Sequence, residues 1–379
     1  MKKLKLKELL EGIEDSRRGN SVMHPLHEVL FIMMVAILCG ATSYVKIEMF
    51  GKSRQEWFSK YLKLENGIPD ALTYRRILMM ISPEKMHEIF AEWMKTVICN
   101  LKGVVAIDGK QARRTGDETK KPLHVVSAFA HKFGVVLGQI ACEEKSNEIT
   151  AIPKLLNMLE ISGCIVTIDA MGTQKGIAKK IREKNADYIL ALKENQGNLY
   201  RDVKLFMDEY SKDIDAKNGD IYGYSLDNEH GRLEKRECFI CEDIGWLDGR
   251  EKWNDLNGIG MIIATIEKNG KKTVQRHYFI YSCKNISAKQ IMTAKRAHWG
   301  IENSLHWVLD LTFREDESRA RKGDSAENFN ILRQIAYNIL KSDTSFKDSF
   351  PNKQFRCMLD ISYLEYIVDS WLCSHYINL

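Results

Sequence analysis

Three carboxylates stand where a fold could gather them. Asp108 closes the apolar run GVVAID, Asp169 closes CIVTID, and Glu302 lies in the later segment AHWGIENSLHWVLD. A single Asp at a strand end is most often a cap or turn residue, because its short side chain bonds nearby backbone amides. Two in the same setting, IDGK and IDAMG, weaken that explanation. Carboxylate oxygens suit Mg²⁺ or Mn²⁺, and a pair of such ions about 3.5–4 Å apart activates an attacking water or 3′-hydroxyl while stabilising the leaving oxygen. The chemistry expected is metal-dependent phosphoryl transfer with two ions, which needs no covalent nucleophile from the protein. Lys110 and Lys193, each just beyond a strand end, stand where phosphate charge would need neutralising, with ordinary exposed lysine as the plainer alternative.

The elements that must position these groups follow from hydrophobic periodicity. GVVAID, LHVVSAFA and FGVVLGQIAC read as three strands, followed by a helix near 149–161, the strand CIVTID, a helix near 174–184 and the strand YILAL at 188–192. A meander that continues into alternating helices and strands predicts an α/β fold, a mixed sheet with helices on its faces, with polar strand ends where ligands bind. Residues 1–100 read as a helical N-terminal domain with basic TYRR and SRRG patches that either touch DNA or are solvated surface. Its last helix starts behind Ser82 as N-cap with Pro83 at N1, and buries Met86, Ile89, Phe90, Trp93, Met94 and Val97.

Residues 101–194 form the first part of the core and 195–286 a mainly β insertion. In the insertion a polar, turn-rich stretch precedes strands at RLEKRECFIC, GMIIATIEKNG and TVQRHYFIYSC, the last two joined by a Lys-Asn-Gly-Lys hairpin. Residues 287–345 return to helix and carry Glu302. One stripe of Ile301, Leu305, Val308 and Thr312 faces the core, while Glu302 and His306 share a neighbouring face. Ser325 is a plausible N-cap for the helix that follows, and 346–379 is a small helical tail.

Composition bounds the rest. The chain has 379 residues, 44% of them hydrophobic, and only 6 Pro, which excludes collagen-like, mucin-like and miniprotein classes. A formal charge of +5 permits a nucleic-acid partner without demanding one. Nine scattered Cys, several inside apolar runs, fit a reduced cytoplasmic chain that uses Cys as a small hydrophobe. Cys238 and Cys241 form a CxxC with no second Cys/His set, so a structural role is expected over metal or redox use. The apolar run Val29–Cys39 is too short to span a bilayer, and the start MKKLKLKELLEGIED has no long apolar region of a secretory signal.

The stretches VVAIDGKQARR, LHVVSAF, KSNEITAIPKLL, GCIVTIDAMGTQKGIAKKI, ADYILALKENQ, HGRLEKR and AHWGIENSLHWVLDLTFREDESRARKGDSAENFNILRQIAYNIL together resemble ISAs1-family transposases. These are a branch of the IS4-like DDE transposases that includes the H-repeat-associated proteins, and the likeness covers nearly the whole chain. The resemblance implies an RNase H-like catalytic domain in which Asp108, Asp169 and Glu302 are the metal-holding acids, 61 and 133 residues apart. It also implies double-stranded DNA as partner, at transposon ends and target, with cleavage at terminal inverted repeats followed by strand transfer, a homo-oligomer in the DNA complex, and no membrane.

The wider IS4-like group carries a Tyr, Arg, Glu, Lys signature around its last acid. Here Lys295, His298 and Leu309 occupy the other three positions, so Arg296, His298 and His306 are expected to take over part of the DNA contact. Arg319, Arg321 and Lys322 form the clearest basic cluster, a phosphate-contact candidate. Trp299 and Trp307 either pack in the core or stack on a frayed terminal base. Asn195 and Gln196 are expected to orient Lys193. The alternatives are an RNase H-fold nuclease without joining activity, and an inactive, transposase-derived DNA-binding protein.

Overall fold

The computed structural model describes residues 6–15, 17, 22–98, 100–142, 148–213, 220–229 and 232–372. Most of the SRRG patch, the start of KSNEI, His230 and Gly231 of HGRLEKR, and Cys99 and Cys373 lie outside the described residues.

Six helices come first: α1 (Leu6–Glu11), α2 (Leu26–Leu38), α3 (Tyr44–Ser53), α4 (Gln55–Phe58), α5 (Ala71–Met80) and α6 (Pro83–Val97). Apart from His27, every residue of α2 is buried, as expected for a helix that is apolar all round. Its one buried acid, Glu28, accepts hydrogen bonds from the Lys63 and Leu64 amides. The cap expected at Ser82 is present, with Oγ accepting from the Lys85 amide at 3.3 Å. In TYRR, Tyr74 is buried, Arg75 half-buried and Arg76 exposed.

The sheet begins with β1 (Gly103–Ala112), β2 (Leu123–Ala130) and β3 (Val135–Cys142), then α7 (Glu148–Met158), β4 (Cys164–Ile168), α8 (Lys175–Glu183) and β5 (Asp187–Leu192). Two elements follow that the polar sequence had hidden: α9 (Asn198–Asp213) and the edge strand β6 (Tyr222–Glu229). β6 alternates Tyr222, Tyr224 and Leu226 with Gly223, Ser225 and Asp227, but the run is short, lies at the sheet edge and leaves Tyr224 and Leu226 exposed. β7 (Arg232–Cys241), β8 (Gly258–Lys268) and β9 (Lys271–Tyr281) complete one nine-stranded sheet in the order β3-β2-β1-β4-β5-β9-β8-β7-β6. β1, β4 and β5 are mutually parallel neighbours and the other pairings are antiparallel. Asn269 and Gly270, at φ 52° and 72°, make the β8–β9 turn, the conformation that Asn-Gly favours.

The chain ends with α10 (Ala288–His298), a π-helical turn at Ile301–His306, α11 (Trp307–Leu311), α12 (Ser325–Ser342), α13 (Phe350–Leu359) and α14 (Ile361–Leu372). α10 opens on a capping box of Ser287 and Gln290. Ser325 is not the cap of α12. Asp324 holds that position, and the Ser325 hydroxyl instead donates to the Lys322 carbonyl at 2.6 Å. α12 packs against α2, α5, α6 and β3, so a single apolar core runs from the N-terminal helices into the sheet. Cys238 and Cys241 are both buried and stand on opposite faces of β7, in different apolar clusters, which suits packing and not chelation. Among the described residues no helix is long and apolar enough to cross a membrane.

Candidate active site

Strand register brings the two aspartates level. β1 and β4 run parallel with Ile107 opposite Ile168, the last pair of that ladder, so Asp108 and Asp169 are the next residue on each side. Asp108 is not at the end of its strand, as the sequence suggested. β1 continues to Ala112 along β2, and Asp108 instead marks the point where β1 loses β4 as a neighbour. Asp169 turns off the sheet, its Oδ1 accepting from the Met171 and Gly172 amides at 3.0 and 3.1 Å. That Asx turn fixes one oxygen of the carboxylate.

The loop after β4 is held in turn from β5. Asn195 Nδ2 donates to the Ala170 carbonyl at 2.8 Å, and Gln196 Nε2 to the Thr173 carbonyl at 2.6 Å. These two side chains therefore anchor the Asp169 loop and do not bond Lys193, the role expected of them.

Glu302 arrives on the π turn, where the Trp307 amide reaches back to the Glu302 carbonyl. The wider turn alters the buried stripe. Ile301, Leu305 and Val308 are buried as expected, but Leu309 is buried where Thr312 was expected. π turns inside helices are frequent at functional sites. Gly300, just before it, lies so close to the β2–β3 turn that a Cβ would run into the His131 ring.

Burial and neighbouring charge both act on these groups. Burial pushes the Asp108 carboxyl up to about 7, and the charges of Asp169, Glu302 and Glu148 add to the effect. His306 Nδ1 lies 3.8 Å from Asp108 Oδ2, and its Nε2 is buried with no hydrogen-bond partner. Burial pulls both His298 and His306 down to about 3, so neither imidazole carries positive charge at neutral pH. His298 Nδ1 meets Thr167 Oγ1 at 3.1 Å. Among the described residues, no group of three or more His, Cys, Asp or Glu side chains stands in metal-holding geometry.

Lys110 does not face these acids. Its ammonium bonds Asp310 at 2.6 Å and the buried Glu315, with Asp316 at 3.8 Å. This pins β1, two residues past Asp108, to the segment that follows Glu302. Lys193 is exposed, and it pushes down the proton affinity of Lys295. Burial is the main cause of that lowering, to about 8, and Asp169 opposes it. Lys295 is thus a cation whose charge Asp169 favours, a relation that its position in the sequence does not disclose. Arg296 pairs with Asp227 at 2.8 Å. Arg321 Nε donates to the Arg114 carbonyl at 3.1 Å, while Arg319 and Lys322 are exposed. Trp299 and Trp307, for which core packing was the commoner expectation, are 57% and 61% exposed on either side of Glu302.

Two residues near the acids carry no signal for chemistry in the sequence: His124 and Glu148, a buried pair at 2.7 Å. Glu148 stands in KSNEITAIPKLL, where the apolar run of α7 masks it.

Comparison with known proteins gives the family. A family described as "Transposase DDE domain" matches residues 100–339, and one described as "DDE_Tnp_1-associated" matches residues 7–94. "Putative protein YbfL" of Escherichia coli K12 is 40% identical over 95% of this chain and 97% of its own length. "H repeat-associated putative transposase YhhI" of the same organism is 39% identical over 95% and 97%. Among solved structures, a piggyBac transposase synaptic complex with hairpin DNA covers 97% of this chain and 76% of its own at 10% identity, with a TM-score of 0.45. That likeness is too slight to argue from, whereas the sequence matches run almost end to end. The chain belongs to the DDE transposase family, among the H-repeat-associated proteins of its IS4/ISAs1 branch.

Proposed function

We propose that the protein is a DNA transposase that cleaves phosphodiesters at the terminal inverted repeats of its element and joins the freed 3′-hydroxyl to target DNA. Its sheet, with β1 central, β2 and β3 antiparallel on one side and β4 and β5 parallel on the other, is read as an RNase H-like core. The observation that carries the reading is the register that sets Asp108 and Asp169 level at the end of one parallel ladder, with the π turn that bears Glu302 packed on β1 and its His306 3.8 Å from Asp108.

The donor set fits Mg²⁺ or Mn²⁺. Asp108, Asp169 and Glu302 offer hard oxygen ligands, and Lys110, the nearby cation that could have neutralised them, is committed to other acids. A bound pair of ions would supply the activated oxygen nucleophile and charge stabilisation at the leaving oxygen. The chain's own part is to hold the acids level, to keep His298 and His306 neutral beside them, and to present Trp299 and Trp307 for stacking on an unpaired end base. Lys193, Lys295, Arg296, Arg319, Arg321 and Lys322 are the candidates for phosphate contact. End recognition falls to the N-terminal helices and to strands β6–β9, and two ends held together call for a homo-oligomer.

The test is strand-specific cleavage and joining on labelled DNA from the element's own flanks, with and without Mg²⁺ or Mn²⁺. Wild type is expected to cut at the ends and join. Glu302→Gln is expected to lose at least about 10⁴-fold in rate, more than about 5 kcal/mol of barrier, while keeping DNA binding. Metal-dependent cutting without end preference would indicate a nuclease, and specific binding without products an inactive relative. Equal cleavage by wild type and by amide variants of all three acids would overturn the assignment.

A further inference from the structure

We infer that the buried pair His124–Glu148 is a positioning element of this site, a fourth carboxylate that fixes the Asp108 segment of β1 and strengthens its hold on a divalent cation. The inference rests on reading Asp108, Asp169 and Glu302 as the metal-holding acids.

Glu148 is the first residue of α7 and His124 the second of β2. Nε2 of the imidazole lies 2.7 Å from Oε1 of the carboxylate, and the side chains are only 4% and 7% exposed. Burying such a pair carries a desolvation cost that packed apolar side chains would avoid, so stability alone is a weak reason for it. Its location supplies a better one. The pair sits over Gly109, where a Cβ would run into the Glu148 carboxylate and stand 2.8 Å from His124 Nε2. Gly109 is not in the left-handed region that favours glycine, so the absent side chain there is space occupied by the pair.

Asp108 and Gly109 are consecutive on β1 and their side-chain positions lie on opposite faces. Glu148 thus backs the strand from behind, and its charge joins those of Asp169 and Glu302 acting on Asp108. His124 orients the carboxylate through Nε2, while its Nδ1 is buried without a partner. A negative charge held just behind a metal-holding carboxylate adds to the field that draws a cation to it.

The molecule contains its own control. His87 and Glu327 form a second buried His–Glu pair at 2.7 Å, joining α6 to α12, and His87 Nδ1 is likewise unpartnered. Glu327 is not among the groups acting on Asp108. The two pairs share their chemistry and distance, but Glu327 also accepts the Ala141 amide at 3.3 Å and is 18% exposed against 7% for Glu148.

The experiment is Mn²⁺ binding by the full-length protein without DNA, followed by electron paramagnetic resonance of the free ion. Glu148→Gln is expected to weaken binding about 10- to 100-fold, with a matching rise in the Mg²⁺ concentration needed for cleavage. Glu327→Gln is expected to leave Mn²⁺ affinity unchanged. Wild-type Mn²⁺ affinity in Glu148→Gln, alongside the loss expected of Asp108→Asn and Asp169→Asn, overturns this inference and spares the triad. No binding that Asp108→Asn removes overturns both. Should Glu148→Gln fail to fold, His124→Gln, which leaves the carboxylate in place without its anchor, replaces it, and unchanged affinity there is equally fatal.

Discussion

Along β1 and β4 the sheet draws carboxylates together into partial burial, so that Asp108 holds its proton up to about pH 7. At the far end of β8 and β9 the same sheet carries Lys268, Lys271 and Lys272 out into solvent on both sides of a tight turn. The first region stores electrostatic strain that only a cation or a proton relieves. The second stores none, because exposed ammonium groups keep their hydration, and it offers a polyanion a grip at little cost. On the proposed reading, metal and DNA are held at separate places along one sheet.

The sharpest way to break the comparison is at Lys110, where the acidic region keeps its one tightly paired cation. Lys110→Met leaves Glu315, 3% exposed, without its ammonium partner. The expected loss is about 3–5 kcal/mol of stability, as for a broken buried pair, read by urea denaturation. A change under about 1 kcal/mol would show that the pair is solvated like the lysines of the ribbon.

A second, smaller effect has the opposite sign. The folded Asp108 titrates near 7 against an ordinary value of 3.8, so the native state binds more protons between those values and stability falls as pH rises through that window. Asp108→Asn removes the penalty. In metal-free solution the variant is expected to exceed wild type by on the order of 4 kcal/mol at pH 8 and to match it below about pH 4. Equal stability at pH 8 would show that the acids are not crowded.

The smallest effect belongs to the ribbon. Replacing Lys268, Lys271 and Lys272 with Ala is expected to lower the salt dependence of DNA binding by about one unit for each phosphate left without its lysine, with stability unchanged within about 0.5 kcal/mol. An unaltered slope would place the grip elsewhere.

What the sequence revealed follows the strength of its local signals. GVVAID and CIVTID are short apolar runs ended by acid, and their strands and shared edge were legible because a parallel ladder needs apolar residues on both faces. The cap at Ser82 and the Asn-Gly turn at 269–270 were legible because one residue type answers one backbone need. β6 was hidden because it lies at an edge, and α9 because only Val203 and Met207 along it are buried. The partners of Lys110 lie 200 and more residues away, and no local pattern signals a pairing at that separation. The exposed indoles of Trp299 and Trp307 escape sequence reading for a related reason, since helical spacing alone does not say whether a face meets protein or solvent.

The wide turn at Ile301–His306 makes the length of this segment as constraining as its composition. Deleting one residue there would let the chain relax into an ordinary helix, but each residue advances a helix by about 100°. Everything before the deletion would then swivel by that angle against everything after it. Lys295 and His298 would be carried away from the Asp169 strand, or Asp310 away from Lys110, whichever half yielded. Natural variants of this chain should therefore tolerate exchange at the exposed positions of the turn far more readily than a gain or loss of a single codon within it.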